Sequence, residues 1–325
     1  MEYRNMGRSG LKLSEVALGS WMTDLKDSAA GAAASEMMKQ AYENGVNFFD
    51  CADAYSGGEA ERHMGATLKQ FPRSSYVISS KVFFPTGPSV TQRGLSRKHI
   101  FDSIDSTLKN MQVDYVDLYF CHRYDTTTPL DETLQALSDL VAQGKILYYG
   151  VSEEWSAARI NKAVGIIKEL GLRPLSVIQP QYHMFDRYIE HEIIGVCEDH
   201  GIGIVPFSPL AQGLLTGKYR KGAPLPAGSR ATHQADKQIN ALLTDENLDK
   251  VHELQQIADE LGVSLSVLAL SWILRQRMVS SVITGASSPG QLLGNVQASG
   301  FTIPADALER IEKILGFTPF SRHVG

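Results

Sequence analysis

Cysteine is scarce in this chain of 325 residues: Cys51, Cys121 and Cys197 stand far apart and odd in number. That argues against a disulfide framework, leaves no C-x-x-C metal spacing, and fits reduced thiols. Long apolar runs are missing too. The chain opens on the polar residues Met1-Glu2-Tyr3-Arg4-Asn5, where a secretory signal needs an apolar stretch, and no later run approaches the length of a membrane span. No basic cluster stands out and the formal net charge is −5, so nothing electrostatic favours a nucleic acid. These absences predict a soluble, cytoplasmic protein with no nucleic-acid or membrane partner.

What is present belongs to a globular chain: 43% hydrophobic and 21% charged residues, with 28 Gly scattered rather than collected into a linker. A sizeable core is possible without a structural metal. Short apolar or β-branched runs alternate with longer stretches of helical periodicity, the βα signature of a parallel sheet. Strands are predicted at Val16–Gly19, Asn47–Asp50, Tyr76–Lys81, Val116–Cys121, Tyr148–Val151, Ser176–Pro180, Gly203–Phe207 and Ser281–Ile283. Helices are predicted at Ala34–Asn44, Ser96–Met111, Leu130–Gln143, Ser156–Leu170, Ile189–His200 and Asn247–Leu261. Gly45, Gly144, Gly171, Gly201 and Gly262 stand where five of these helices stop.

About eight strands is the number of a (β/α)8 TIM barrel. A doubly wound open sheet would give a similar alternation, but Gly19-Ser20-Trp21 follows the first strand in place of a G-x-G-x-x-G turn, and the barrel is favoured. Two segments depart from the repeat. Residues 1–14 predict an N-terminal β-hairpin able to plug the barrel floor, and residues 209–245, rich in Gly and Pro, predict a long loop after strand seven acting as a lid or cofactor clamp.

Barrel enzymes carry their chemistry at the C-terminal ends of strands. Strand two ends at Asp50 with Tyr55 close behind, strand three ends at Lys81, and strand four runs into His122. A lone Asp, Tyr, Lys or His is most often a satisfied polar residue; position at three consecutive strand ends is what singles these out. A phenol is a poor acid at neutral pH unless its anion is stabilised. Lys81 supplies that stabilisation, Asp50 holds the lysine charged, and His122 offers a hydrogen bond to the carbonyl oxygen that Tyr55 protonates. With no activated nucleophile in the set, a carbonyl that accepts a proton needs hydride from a cofactor. Metal-dependent hydrolysis would want an H-x-H pair on the first strand, and Val16-Ala17-Leu18-Gly19 has none.

The stretch Phe49-Asp50-Cys51-Ala52-Asp53-Ala54-Tyr55-Ser56-Gly57-Gly58-Glu59-Ala60-Glu61 resembles the aldo-keto reductase segment in which Asp and Tyr lie five apart before a G-x-x-E helix start. Similar matches follow, in family order, at Ile78-Ser79-Ser80-Lys81, at the run from Tyr115 to His122, at the run from Gln143 to Ser152, at Gln179-Pro180-Gln181-Tyr182-His183 and at Pro206-Phe207-Ser208-Pro209-Leu210. The run from Leu210 to Tyr219 and Gly285-Ala286-Ser287-Ser288 resemble the branch that holds potassium-channel β-subunits and bacterial glyceraldehyde-3-phosphate-type reductases.

The resemblance implies one barrel domain over residues 1–325, with Asp50, Tyr55, Lys81 and His122 as the catalytic set. It also implies an NADPH cofactor and a small-molecule carbonyl substrate. Asp50, Gly19, Ser20 and Trp21 are expected at the nicotinamide end, with Ser152 and Gln179 on its carboxamide. Tyr182 or Phe207 is expected to supply a stacking face, ordinary core packing being the alternative for both. Ser208, Pro209, Leu210, Gln212, Gly213 and Lys218 are expected near the pyrophosphate, since Gly-rich backbone and a lysine suit phosphate oxygens. Arg230, Gly285, Ser287 and Gln291 match the branch's positions at the adenosine end, where NADPH needs a cation or several donors for its 2′-phosphate. Gly294 departs from the family's usual Glu against the adenine, which leaves Asn295 as the expected contact.

The channel β-subunits carry Asn at the position of His122, and a regulatory reading would want a blocking segment ahead of the hairpin that opens this chain. Reduction of aldehydes or reactive ketones is therefore expected first, and a nucleotide-binding regulatory subunit second. Cys51 and Cys121 are expected to face away from the site, because neighbours on a strand point to opposite sides. Trp272 reads as core, and His63, His99, His183 and His191 show no ligand spacing, so no metal is expected. Arg123 meets either an anionic substrate or an acid on a loop. Substrate choice is expected to sit in loops 22–31, 83–95 and 210–245; a homo-oligomer stays open.

Overall fold

Two short antiparallel strands, β1 (Tyr3–Asn5) and β2 (Lys12–Ser14), open the chain in the computed structural model, which describes residues 1–21, 28–232 and 237–319. Eight parallel strands follow: β3 (Val16–Gly19), β4 (Phe48–Asp50), β5 (Val77–Val82), β6 (Val116–Arg123), β7 (Ile146–Glu153), β8 (Val177–Ile178), β9 (Gly203–Ile204) and β10 (Val282–Thr284). They pair in the order β10-β3-β4-β5-β6-β7-β8-β9. The two ends of that row meet: Ile204 N donates to Met278 O at 2.9 Å, Ser280 N to Ile204 O at 2.8 Å and Ile283 N to Pro206 O at 2.9 Å. The ring of strands is thereby a (β/α)8 barrel.

Helices α1 (Ser28–Glu43), α2 (Glu59–Leu68), α3 (Arg97–Met111), α4 (Leu130–Ala142), α5 (Ala157–Leu170) and α6 (Ile193–His200) connect the strands up to β9. Then come α7 (Lys237–Leu242), α8 (Asp245–Glu260), α9 (Leu265–Leu274), α10 (Pro289–Val296) and α11 (Ala305–Leu315). The side chains of Ser96, Ser156, Thr244, Ser264 and Ser288 cap five of them by accepting a backbone N–H three residues on. The five glycines expected at helix ends all take a left-handed backbone, with φ from 64° to 86°.

The apolar residues separate into two layers. Met6, Leu13, Ala17, Phe48, Val77, Leu118, Phe120, Val177, Val205 and Ile283 fill the inside of the barrel, and the hairpin contributes Met6 and Leu13 to that set, closing its floor. A larger layer packs between strands and helices and holds Cys51, Cys121 and Cys197. Strands covered on both faces read as apolar runs, as residues 118–121 within β6 do. Among the described residues no single helix is long and apolar enough to cross a membrane.

Three expectations change in detail. β8 and β9 each keep two residues in the ladder, because Pro180 and Pro206 offer no N–H at the ends of the expected strands. The helix expected from Ile189 begins at Ile193, after a separate 3₁₀ turn at Tyr188–Glu190. The connection 209–245 holds 3₁₀ turns at Ala211–Thr216 and Arg230–Thr232 and the helix α7, anchored by the buried Leu214, Leu215, Tyr219, Ala231 and Ile239. Residues 22–27 and 233–236, within two of the loops expected to set substrate choice, lie outside the described residues.

Candidate active site

Side chains two apart along a strand share a face, and β5 and β6 carry that rule from an apolar floor to a polar mouth. Val77 lies inside the barrel, with Ser79 and Lys81 above it; Leu118 and Phe120 lie inside, with His122 above them. Asp50 is the last residue of β4, and Tyr55 begins the 3₁₀ turn Tyr55–Gly58 that leads into α2. The structure thus brings all four sequence-predicted residues together at the C-terminal end of the barrel.

Lys81 is fully buried and spends its three donors locally: Nζ donates to Asp50 Oδ2 at 2.7 Å, to the Cys51 carbonyl at 2.8 Å and to the Tyr55 hydroxyl oxygen at 3.3 Å. Burial pulls the lysine toward its neutral form, but Asp50 and then Tyr55 outweigh it, and its pKa is raised. Asp50 Oδ1 accepts from Ser79 Oγ at 2.6 Å and from Gln179 Nε2 at 3.0 Å. The ring of His122 meets Tyr55 edge-on at 5.8 Å and Phe84 at 4.9 Å, and its buried Nδ1 has no partner.

Burial is the largest influence on Tyr55 and exceeds the opposing pull of Lys81, so the phenol is pushed up to about 12. Lys81 eases the phenol's ionisation, as the sequence led us to expect, but burial outweighs it, and Tyr55 is protonated at neutral pH. Burial, with Lys81 and Arg123 nearby, holds His122 down to about 2, so the imidazole is neutral and offers one N–H. An oxygen atom in front of these two side chains would meet two neutral donors backed by one buried ammonium.

Behind the set lies a buried acidic pocket that sequence reasoning missed. Glu61 Oε1 accepts from Ser80 Oγ at 2.6 Å and Thr107 Oγ1 at 2.7 Å, and its Oε2 from Asn110 Nδ2 at 2.8 Å. Asp53 Oδ2 accepts from Ser103 Oγ at 2.6 Å while Oδ1 has no partner. Burial, with Glu61 adding to it, raises Asp53 to about 7. The folded protein therefore keeps a proton that the unfolded chain gives up near the ordinary aspartate value, so this group erodes stability as pH rises from about 4 to about 7. Asp53→Asn, which keeps an acceptor for Ser103, is expected to be more stable than the parent at pH 8 by about 1–3 kcal/mol, with the gap closing near pH 4. Urea titrations at the two pH values check this; a gap that is the same at both would remove Asp53 as its source.

The expected cofactor residues divide into groups. Ser20 Oγ donates to the Asp50 carbonyl at 2.9 Å, Ser152 Oγ to the Gln179 carbonyl at 2.7 Å and Gln179 Nε2 to Asp50 Oδ1, so these side chains brace Asp50 and its surroundings while both hydroxyls keep acceptor lone pairs. Tyr182 is fully buried against Trp272 with its hydroxyl donating to Glu190, so it is core, and the half-buried Phe207 is left as the stacking candidate. Gln212 Nε2 donates to Ser208 Oγ at 2.9 Å, Arg230 Nη1 donates to Gln212 Oε1, and the Arg230 guanidinium lies 5.6 Å over the Trp21 ring. Lys218 is exposed beside Gly213, where a Cβ would stand 3.1 Å from the lysine Nζ. Pro209 is buried and Leu210 half-buried in the same turn. Ser287 Oγ donates to Gln291 Oε1 at 3.0 Å at the start of α10, next to Gly285, which has open space where a Cβ would stand. Asn295, expected at the adenine, is buried one turn further on.

Six described residues other than Gly take a positive φ, and five of them, Ser56, Glu154, Ser208, Ala211 and Gln212, sit in loops at the C-terminal mouth. Strained backbone of this kind gathers where a ligand is held. The donor set Ser208, Lys218, Arg230 and Ser287, with Lys218 close against Gly213 and open space at Gly285, fits a phosphate-bearing dinucleotide. Cys51 and Cys121 face outward, and burial holds both thiols well above their ordinary range. Among the described residues no group of His, Cys, Asp or Glu could hold a metal ion.

A closed parallel barrel with a charged, buried side-chain cluster at its C-terminal mouth defines a class of barrel proteins whose sites lie on the βα loops. Within that class this chain belongs to the aldo/keto reductase family, whose profile matches residues 15–316. It is 41% identical to a probable voltage-gated potassium channel subunit beta of Arabidopsis thaliana, with 98% of each chain covered. It is also 41% identical to one so named from Oryza sativa, over 97% of this chain and 95% of the relative.

Proposed function

We infer that this protein is an NADPH-dependent carbonyl reductase, a single barrel domain that reduces aldehydes or reactive ketones to alcohols. The observation that carries the reading is Lys81 Nζ, buried between Asp50 Oδ2 at 2.7 Å and the Tyr55 hydroxyl at 3.3 Å. NADPH supplies the hydride when bound. Tyr55 gives its proton to the carbonyl oxygen, and because its own oxygen accepts from Lys81, that proton is left for the substrate. Charge that builds on the phenol oxygen is met by the ammonium, which Asp50 holds in place together with Ser79 and Gln179. Neutral His122 donates to the same carbonyl oxygen and orients it. Ser208, Gln212, Lys218, Arg230 and Ser287 would hold the phosphates, and Phe207 would supply the face for the nicotinamide ring.

NADPH oxidation followed by absorbance with a panel of aldehydes, including methylglyoxal and glyceraldehyde phosphate, tests the reading; no turnover with any of them counts against it. A guanidinium at the 2′-phosphate contributes roughly 1.5–3 kcal/mol through charged hydrogen bonds. Arg230→Ala is therefore expected to raise the KM for NADPH at least tenfold and leave that for NADH within about twofold. Equal use of NADH and NADPH by the parent would defeat this assignment. A second reading, a nucleotide-binding regulatory subunit, draws on the names of the two relatives above; tight NADPH binding without turnover would favour it.

A further inference from the structure

Arg123 is the last residue of β6 and pairs in register with Glu153 of β7. Its guanidinium bonds Glu153 Oε2 at 2.8 Å and Glu154 Oε1 at 3.3 Å, and it lies 5.1 Å over the ring of Phe84. Phe84 in turn meets the imidazole of His122 at 4.9 Å. One aromatic ring therefore separates the guanidinium from the proposed carbonyl site. Glu154 is held in a left-handed backbone, φ 67°, while Arg159 Nη1 donates to its carbonyl at 2.5 Å and Arg159 stacks on Tyr124 at 3.9 Å. The carboxylate is thus presented to Arg123 from a braced turn.

We propose that Arg123, Glu153 and Glu154 form a charge filter at the mouth that selects uncharged carbonyl substrates bearing an apolar or aromatic group and turns away anionic ones. This rests on the reductase reading above. An arginine beside a carbonyl site ordinarily invites a carboxylate or phosphate, because its fork of N–H groups matches those oxygens. Here Glu153 and Glu154 already engage Nη2 and Nη1, the Nε is buried away from solvent, and the three side chains together carry one net negative charge. An anionic substrate has to displace a carboxylate from Arg123 and then sit beside it, and like charges so placed oppose binding. An uncharged substrate meets only the ring of Phe84 and the face of His122, with no ion pair to break. The phosphorylated aldehydes suggested by part of the sequence resemblance are accordingly poor substrates.

The test uses two aldehydes of nearly equal shape, 4-nitrobenzaldehyde and 4-carboxybenzaldehyde, with the full chain and NADPH. The parent is expected to show at least a tenfold higher kcat/KM for the nitro compound. Glu153→Gln/Glu154→Gln frees the guanidinium while both residues keep their size, and is expected to bring the ratio to within about threefold, by a gain for the carboxylate substrate and not a loss for the nitro compound. Glyceraldehyde against glyceraldehyde 3-phosphate should follow the same pattern. Equal or better use of the carboxylate by the parent overturns the filter, as does an unchanged ratio in the double variant. If neither aldehyde consumes NADPH the reductase reading itself falls and takes the filter with it. Turnover of both without charge preference removes the filter alone.

Discussion

Tyr55→Phe is expected to lower kcat by a factor of about 10²–10⁴ while the dissociation constant for NADPH changes little. The substitution removes one hydroxyl and leaves the ring. That ring packs edge-on against His122 at 5.8 Å, a contact phenylalanine keeps. Lys81 loses its longest hydrogen bond, at 3.3 Å, and keeps Asp50 Oδ2 and the Cys51 carbonyl. The fold should therefore lose about 1 kcal/mol at most, the net worth of one hydrogen bond. Because the lost interaction belongs to the transition state, kcat and kcat/KM should fall together. Single-turnover NADPH oxidation, with nucleotide fluorescence for binding, measures both quantities. A variant that keeps parental turnover takes the acid role away from Tyr55.

Lys81→Met should be the most destabilising single change at the site. The ion pair with Asp50 lies in the barrel interior, with side-chain exposures of 0% and 5%. Removing one member of a buried pair strands the other, at a cost of roughly 3–5 kcal/mol, and Asp50 would keep only Ser79 and Gln179 as donors. For a chain of 325 residues that corresponds to a melting temperature lower by about 4–7 °C. Asp50→Asn/Lys81→Met removes both charges at once, and it should recover at least half of the loss, because no uncompensated charge remains. Thermal denaturation of the parent, the two single variants and the double variant gives the coupling. If Lys81→Met melts with the parent, the pair contributes nothing to stability. Both lysine variants should lack reductase activity whatever their stability, since the ammonium beside the phenol is gone.

The two predictions differ in how far a reader of the sequence could have reached them. Tyr55 and Lys81 are legible at once, from their place at consecutive strand ends and from the Asp50-to-Tyr55 spacing. Ser79 was within reach, two residues before Lys81 and so on the same face. Gln179 was expected on a cofactor amide, and its bond to Asp50 spans 129 residues of chain, a distance no local period reports. Helix α9 escaped for another reason. It is apolar all round, so it has no stripe to betray it. The Glu61 pocket was hidden by the opposite habit, since charged residues in a helix ordinarily read as solvated.

Local order was written in the residues themselves: strand and helix alternation, five helix stops, the outward turn of Cys51 and Cys121, and the four side chains at the mouth. Each follows from a repeat of two or of 3.6 residues, or from the freedom of glycine, and these act within one element. Partnership was decided only by closing the barrel. Whether Arg123 faces a substrate or an acid, whether Tyr182 stacks on a ligand or on Trp272, and whether burial or an ammonium governs Tyr55 all depend on which elements become neighbours. That choice belongs to strand order and register, which bring β6 beside β7 and seal Lys81 from water. Electrostatic strength is set by such surroundings, so the same residues carry different chemistry until the fold has placed them.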